Sequence, residues 1–100
     1  MPSSLKSFEE FDRLLDVTRM ELNVLCEAEP NDPALGSVQR QLQSLHEWTR
    51  GGRIPEQQEK DQLNFGVIAS RELDNYSVAG SLYELASFVI YWGAAGESGN

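Results

Sequence analysis

The chain has 100 residues, the length of one ordinary domain, and 40% of them are apolar, which excludes a disordered acidic tail. Sixteen acidic residues against eight basic ones give a formal net charge of −8 at pH 7, the opposite of the balance that binding to nucleic acid or to an anionic membrane requires. The single cysteine, Cys26, excludes an intramolecular disulfide. Neither a signal peptide nor an apolar run of the roughly 20 residues that span a bilayer is visible, so we expect a cytoplasmic protein.

A first helix is predicted over residues 7–28. Ser7 and Glu10 have the spacing of a capping box at its start, and Pro30 requires it to end, because the residue before a proline is pushed out of the α region. The opposite side from the core is polar and includes Asp16 and Met20. The core-facing stripe recurs at steps of three and four and consists of Phe8, Phe11, Leu15, Thr18, Leu22 and Leu25.

A second helix is predicted over residues 33–50, with Asp32 as its N-cap and a proline at its first position. Thr49 or Trp48 closes its apolar stripe, and Gly51-Gly52 is a typical stop signal. The stripe itself consists of Leu35, Val38, Leu42 and Leu45.

A third helix is predicted over residues 55–72. The composition of its apolar part also suits a buried strand, but Leu63, Val67 and Ile68 keep helical spacing and no other strand is available for pairing. We expect these three residues, like the other Leu, Val and Ile residues, to belong to the core. Gly66 is about 1 kcal/mol less favourable than Ala inside a helix, and we expect it where another helix packs closely.

A fourth helix is predicted over residues 77–92, with Asp74 or Asn75 as its N-cap and a flexible tail over residues 93–100. Short connections make neighbouring helices antiparallel, so the sequence predicts a single all-α domain, an up-and-down four-helix bundle. The residues of the fourth helix expected to face inward are Leu82, Leu85, Ala86, Val89 and Ile90.

The sequence lacks a constellation of residues for catalysis or metal binding. One His and one Cys fall on different predicted helices, and neither zinc-ligand spacing nor a Glu-x-x-His motif occurs. Cys26 suits the edge of the core, and His46 is interpreted as a boundary residue. We therefore predict a protein that is not an enzyme and needs no metal or cofactor. An enzyme that uses His46 with a neighbouring acid is kept as an alternative hypothesis.

Residues suited to a protein-binding surface are more frequent. Met20 together with Asp12 and Asp16, on the exposed side of the first helix, would suit a basic partner. Trp48 at the end of the second helix and Tyr76 before the fourth are aromatics of the kind enriched at binding hot spots. Each aromatic is equally suited to capping the core.

The stretch from Gln39 to Trp92 is similar to a known family. The similarity is carried by two segments and extends to Leu82–Tyr91, with its aromatic ending. In the longer of the two segments, Gly, Ile-Ala and a basic residue are followed by Glu, an apolar residue and Asp. The pattern resembles the immunity proteins of type VI secretion NAD(P)-glycohydrolase toxins. The two segments are Gln41-Leu42-Gln43 and Leu63-Asn64-Phe65-Gly66-Val67-Ile68-Ala69-Ser70-Arg71-Glu72-Leu73-Asp74.

The resemblance implies a small helical antidote that binds its cognate toxin domain in the cytoplasm and occludes the toxin's active site. It adds Arg71, Glu72 and Asp74 to the candidate contact residues. The resemblance extends to relatives that neutralise other nucleotide-modifying toxins, such as pyrophosphokinases, so the toxin's reaction stays open. A small acidic secretion chaperone or adaptor is the alternative function, and a homodimer of the toxin-free protein is compatible with the sequence.

Overall fold

All regular secondary structure in the part that the structure describes is helical. The computed structural model describes residues 5–92, and no strand occurs within them, so the all-α prediction is confirmed. The tail predicted over residues 93–100 lies outside the described residues. The α-helices are α1 (Phe8–Ala28), α2 (Pro33–Trp48), α3 (Gln57–Asp61), α4 (Phe65–Glu72) and α5 (Val78–Tyr91).

The starts of α1 and α2 are capped as their sequences predict. Ser7 has extended backbone angles, and its hydroxyl accepts a hydrogen bond from the Glu10 backbone N–H at 3.2 Å. The Glu10 carboxylate accepts from the backbone N–H of Lys6, one residue before the expected partner, at 2.7 Å. Asp32 accepts from the backbone N–H of Ala34 at 2.9 Å, which satisfies a free donor in the first turn of α2.

The second helix is shorter than the predicted range of residues 33–50, because α2 ends at Trp48. Thr49 is buried, and its hydroxyl donates to the Leu45 carbonyl at 2.8 Å, so Thr49 closes the apolar stripe. A single 3₁₀ turn, Arg50–Gly52, follows. It takes the chain into the left-handed region at Gly51 and Gly52, with φ values of +73° and +89°, which residues with a Cβ rarely adopt.

The single helix predicted over residues 55–72 is wrong: two helices, α3 and α4, occupy this range, separated at residues 62–64. The last turn of α3 tightens, since the Leu63 N–H donates to the Lys60 carbonyl at 3.1 Å. The next N–H, that of Asn64, donates to the side-chain oxygen of Gln41 in α2 at 2.7 Å, and the Gln41 amide donates back to the Asn64 side chain. Gln41 therefore takes the place of the intrahelical acceptor.

The four longer helices pack around one core. α1 packs on α2 and α5, and α4 packs on the same two helices. Paired hydrogen bonds from Arg19 to Gln43 and from Gln39 to Asn23 show that α1 and α2 run antiparallel. The core contains Phe11, Leu15, Leu22, Leu35, Val38, Leu42, Leu45, Phe65, Ala69, Leu73, Val78, Leu82, Leu85 and Val89.

One end of this core is aromatic. The rings of Phe11 and Phe88 are stacked with their centroids 4.8 Å apart, and Trp92 lies 5.4 Å from Phe11 and 5.1 Å from Phe88. Phe8 stacks on Trp92 at 5.7 Å. Because these contacts join the start of α1 to the end of α5, α1 and α5 are antiparallel as well.

The packing of α4 on α5 confirms one prediction and overturns two. A Cβ added to Gly66 would lie 3.0 Å from the Ala86 Cβ, so the two helices do approach closely at the glycine. Val67 and Ile90, predicted to face inward, are 51% and 64% exposed. The core face of α4 is formed instead by residues four apart, Phe65 and Ala69, and Val67 lies on the other side of the helix.

Candidate protein-binding surface

The outer side of α1 carries three exposed apolar residues. Val17, Met20 and Val24 are 50%, 62% and 64% exposed. Their spacing of three and four residues places them on one line along the helix, opposite the buried Leu15 and Leu22. We call these three residues the α1 stripe. Met20 is outward as predicted, and the structure adds Val17 and Val24 to the same exposed line.

Acidic residues border the α1 stripe. α1 contains six acidic and two basic residues, a net charge of −4, which is half of the net charge of the whole chain. Arg19 lies 3.6 Å from the carboxylate of Asp16, whose side chain stays 53% exposed. Such an exposed ion pair contributes little stability, so the Asp16 charge remains available to a partner. Asp12 is partly buried one turn earlier.

The turn between α4 and α5 lies beside the C-terminal half of α1. The hydroxyl of Ser77 donates to the carboxylate of Glu21 at 3.0 Å. Ser77 is also the N-cap residue of α5, so the prediction that Asp74 or Asn75 caps this helix is wrong. Asp74 is exposed in the turn.

The remaining candidate residues lie at both ends of the molecule. Arg71 and Glu72 are exposed at the end of α4, and Tyr76 is partly buried against the core in the turn that follows. Trp48 is partly buried at the end of α2, and its backbone carbonyl accepts from Arg53 at 2.8 Å. Since α1 and α2 are antiparallel, Trp48 lies toward the start of α1, whereas the Ser77 contact places Tyr76 toward its end.

A second apolar surface lies between α4 and α5. An open groove of about 240 Å³ is lined there by Leu63, Val67, Ala86 and Ile90, among other residues. Lys60 and Asp61 contribute opposite charges to the same groove. The groove therefore offers apolar area without the acidic excess of α1.

Cys26 and His46 lie on different helices, α1 and α2. Burial, and to a smaller extent the charge of Asp32, raises the pKa of the Cys26 thiol, which disfavours the reactive thiolate. The Nδ1 atom of His46 is buried without a hydrogen-bond partner. Within residues 5–92 no three His, Cys, Asp or Glu side chains are grouped as metal ligands.

The pKa of the Glu59 carboxyl is lowered, chiefly because it accepts a hydrogen bond from the Glu56 backbone N–H at 2.9 Å. Arg53, 3.0 Å away, lowers it further. This arrangement completes a capping box at the start of α3 and stabilises the helix end. It is a structural role.

The exposed apolar residues and their acidic border are typical of a protein that binds another protein. The family model Tsi6 matches residues 6–88, and the chain belongs to this family, which is a family of type VI secretion immunity proteins and not of enzymes. No curated protein and no solved structure shows a match. Within residues 5–92, none of the helices combines the length and the apolar character that crossing a bilayer requires.

Proposed function

We propose that this protein is an antidote that binds a cognate type VI secretion effector toxin in the cytoplasm and inhibits it by occluding the toxin's active site. The observation that carries the proposal is membership of the Tsi6 family over residues 6–88. The toxin is proposed to consume NAD(P) or to modify another nucleotide. This narrower statement rests on the resemblance of residues 39–92 alone.

The charge of the protein supports this choice of partner. Lys and Arg side chains frequently bind nucleotide phosphates in the active-site clefts of enzymes. An inhibitor with a net charge of −8 would be attracted to such a cleft, and the attraction would speed their association. The proposed contact residues are Asp12, Asp16, Met20, Trp48, Arg71, Glu72, Asp74 and Tyr76.

The fold would serve this function as a rigid support. We propose that α1, α2, α4 and α5 form an up-and-down four-helix bundle of one domain. The antiparallel pairs of α1 with α2 and of α1 with α5 support that topology. A rigid support loses little conformational freedom on binding, which favours a tight complex.

The proposal is tested by co-expression with the candidate toxin domain encoded beside the gene. We expect the protein to restore bacterial growth and to co-purify with the toxin domain as a 1:1 complex. An unrelated acidic helical protein, expressed at the same level, is the control and should not restore growth. Toxicity that persists without any complex would contradict the proposal.

A secretion chaperone or adaptor is the second candidate function. The observation that favours it is the α4–α5 groove, where Val67 and Ile90 leave apolar area uncovered. Co-purification without restored growth, together with loss of toxin secretion when the gene is deleted, would support the chaperone over the antidote.

A further inference from the structure

The α1 stripe has the geometry of a helix that enters a groove. Val17, Met20 and Val24 follow one another at three and four residues, which is the spacing of anchors in helix-in-groove recognition. At 1.5 Å per residue, the stripe is about 10 Å long, or two helical turns. Its residues have no role in the core, because α1 is held by the residues of its opposite side.

Charge distinguishes the α1 stripe from the α4–α5 groove. α1 has a net charge of −4, and its Asp16 and Glu21 are next to stripe residues in the sequence, whereas Lys60 and Asp61 balance each other at the groove. A partner surface with a surplus of Lys and Arg would therefore be attracted to α1 in preference to α4 and α5. The exposure of single residues does not discriminate between the two places, because Val17 and Val24 are 50% and 64% exposed and Val67 and Ile90 are 51% and 64% exposed.

We infer that the α1 stripe is the principal contact with the toxin and that it enters an apolar groove whose rim carries Lys and Arg. The inference rests on the proposed function and specifies the surface it uses. Asp16 on one side of the stripe and Glu21 on the other would pair with the basic rim, and the three apolar residues would fill the groove.

The contact between Glu21 and Ser77 extends this surface beyond α1. The hydrogen bond of 3.0 Å holds the start of α5 against α1. The adjoining turn, with its exposed Asp74, would then form the edge of the same interface. Trp48, at the far end of α2, would contact the toxin at the margin of this interface.

The test compares two matched pairs of substitutions. Val17→Lys and Val67→Lys replace valines that are 50% and 51% exposed, and Val24→Lys and Ile90→Lys replace residues that are both 64% exposed. Each substitution adds one positive charge, and Lys has a higher helix propensity than the residue it replaces, so folding should be preserved. Thermal unfolding of every variant checks this.

Affinity for a catalytically inactive toxin domain is measured by calorimetry or biolayer interferometry. We expect Val17→Lys and Val24→Lys each to weaken binding at least tenfold and the two together at least about 100-fold. Each substitution removes an apolar contact and places a positive charge beside the basic rim of the partner. Val67→Lys and Ile90→Lys should change the affinity less than about threefold. Val17→Ser with Val24→Ser should weaken binding by about tenfold without a change of charge.

The possible failures are distinguishable. A wild-type protein that does not bind the toxin domain would refute the proposed function itself. Wild-type binding that is weakened by the α4–α5 substitutions and not by the α1 substitutions would refute the inference and leave the antidote function standing. The inference would also be refuted if the α1 substitutions changed the oligomeric state and left the toxin affinity unchanged. The α1 stripe would then contact a second copy of this chain.

Discussion

Replacing Gly66 by alanine should destabilise the protein, although the same change stabilises most helices. A Cβ at this position would lie 3.0 Å from the Ala86 Cβ, closer than the 3.5–4.0 Å of an ordinary carbon–carbon contact. Overpacking of this kind costs about 1–3 kcal/mol, and the gain in helix propensity is at most about 1 kcal/mol. We therefore expect a net loss of about 1 kcal/mol, which lowers Tm by about 4–8 °C in a domain of this size.

Two control variants separate the close contact from the propensity. Gly80, in the first turn of α5, has no atom within 4 Å of an added Cβ, so Gly80→Ala should raise the unfolding free energy by about 0.5–1 kcal/mol. Ala86→Gly makes room opposite Gly66. The double variant Gly66→Ala with Ala86→Gly should therefore be more stable than the sum of the single effects, by about 1–2 kcal/mol.

The measurement is urea unfolding followed by circular dichroism, with Tm from calorimetry as a second readout. If Gly66→Ala stabilised the protein as much as Gly80→Ala, and the double variant showed no coupling, α4 and α5 would not approach as closely as the structure indicates.

Three other perturbations test the core, the junction between α3 and α4, and the capping box of α3. Phe11→Ala removes a fully buried ring and should cost about 3–5 kcal/mol in urea unfolding, so a loss below about 1 kcal/mol would refute the packing of the aromatic end. Gln41→Ala removes both hydrogen bonds to Asn64 and should lower the unfolding free energy by about 1–2 kcal/mol, with faster amide hydrogen exchange at Asn64. Unchanged exchange at Asn64 would contradict the role of Gln41 as the acceptor at the break between α3 and α4. The lowered pKa of Glu59 contributes stability that is present above the carboxyl's unfolded pKa and is lost as the pH falls through its folded pKa. An NMR titration should show Glu59 titrating below an ordinary glutamate, and an unshifted Glu59 would contradict the hydrogen bond that it accepts from the Glu56 backbone N–H.

The sequence and the structure contribute differently to the candidate surface. Met20 and Asp16 are predictable from helical periodicity alone, because the polar side of an amphipathic helix faces water. Val24 lies on the same side of α1, but it is apolar, and only the structure shows that its side chain is 64% exposed. Ser77 could not be assigned to this surface at all, since its partner Glu21 is 56 residues away in the chain.

Sequence by itself determined the features that depend on neighbouring residues. The all-α class, the starts of α1 and α2 and the glycine turn after Thr49 follow from periodicity, caps and backbone freedom, which act within a few residues. The cap at Asp32 needs no other helix, because its acceptor and the donors it satisfies lie in the same turn.

Only the tertiary structure determined where the predicted third helix is divided into two and which apolar residues stay exposed. The break at residues 62–64 depends on Gln41 from another helix, which supplies hydrogen bonds that local sequence does not reveal. Val67 and Ile90 are apolar residues of a kind typical of a core, yet they are 51% and 64% exposed, and Phe65 and Ala69 form the buried face of α4 instead of Val67. Periodicity shows that a helix has an apolar side, but the partners that cover it are set by contacts distant in sequence.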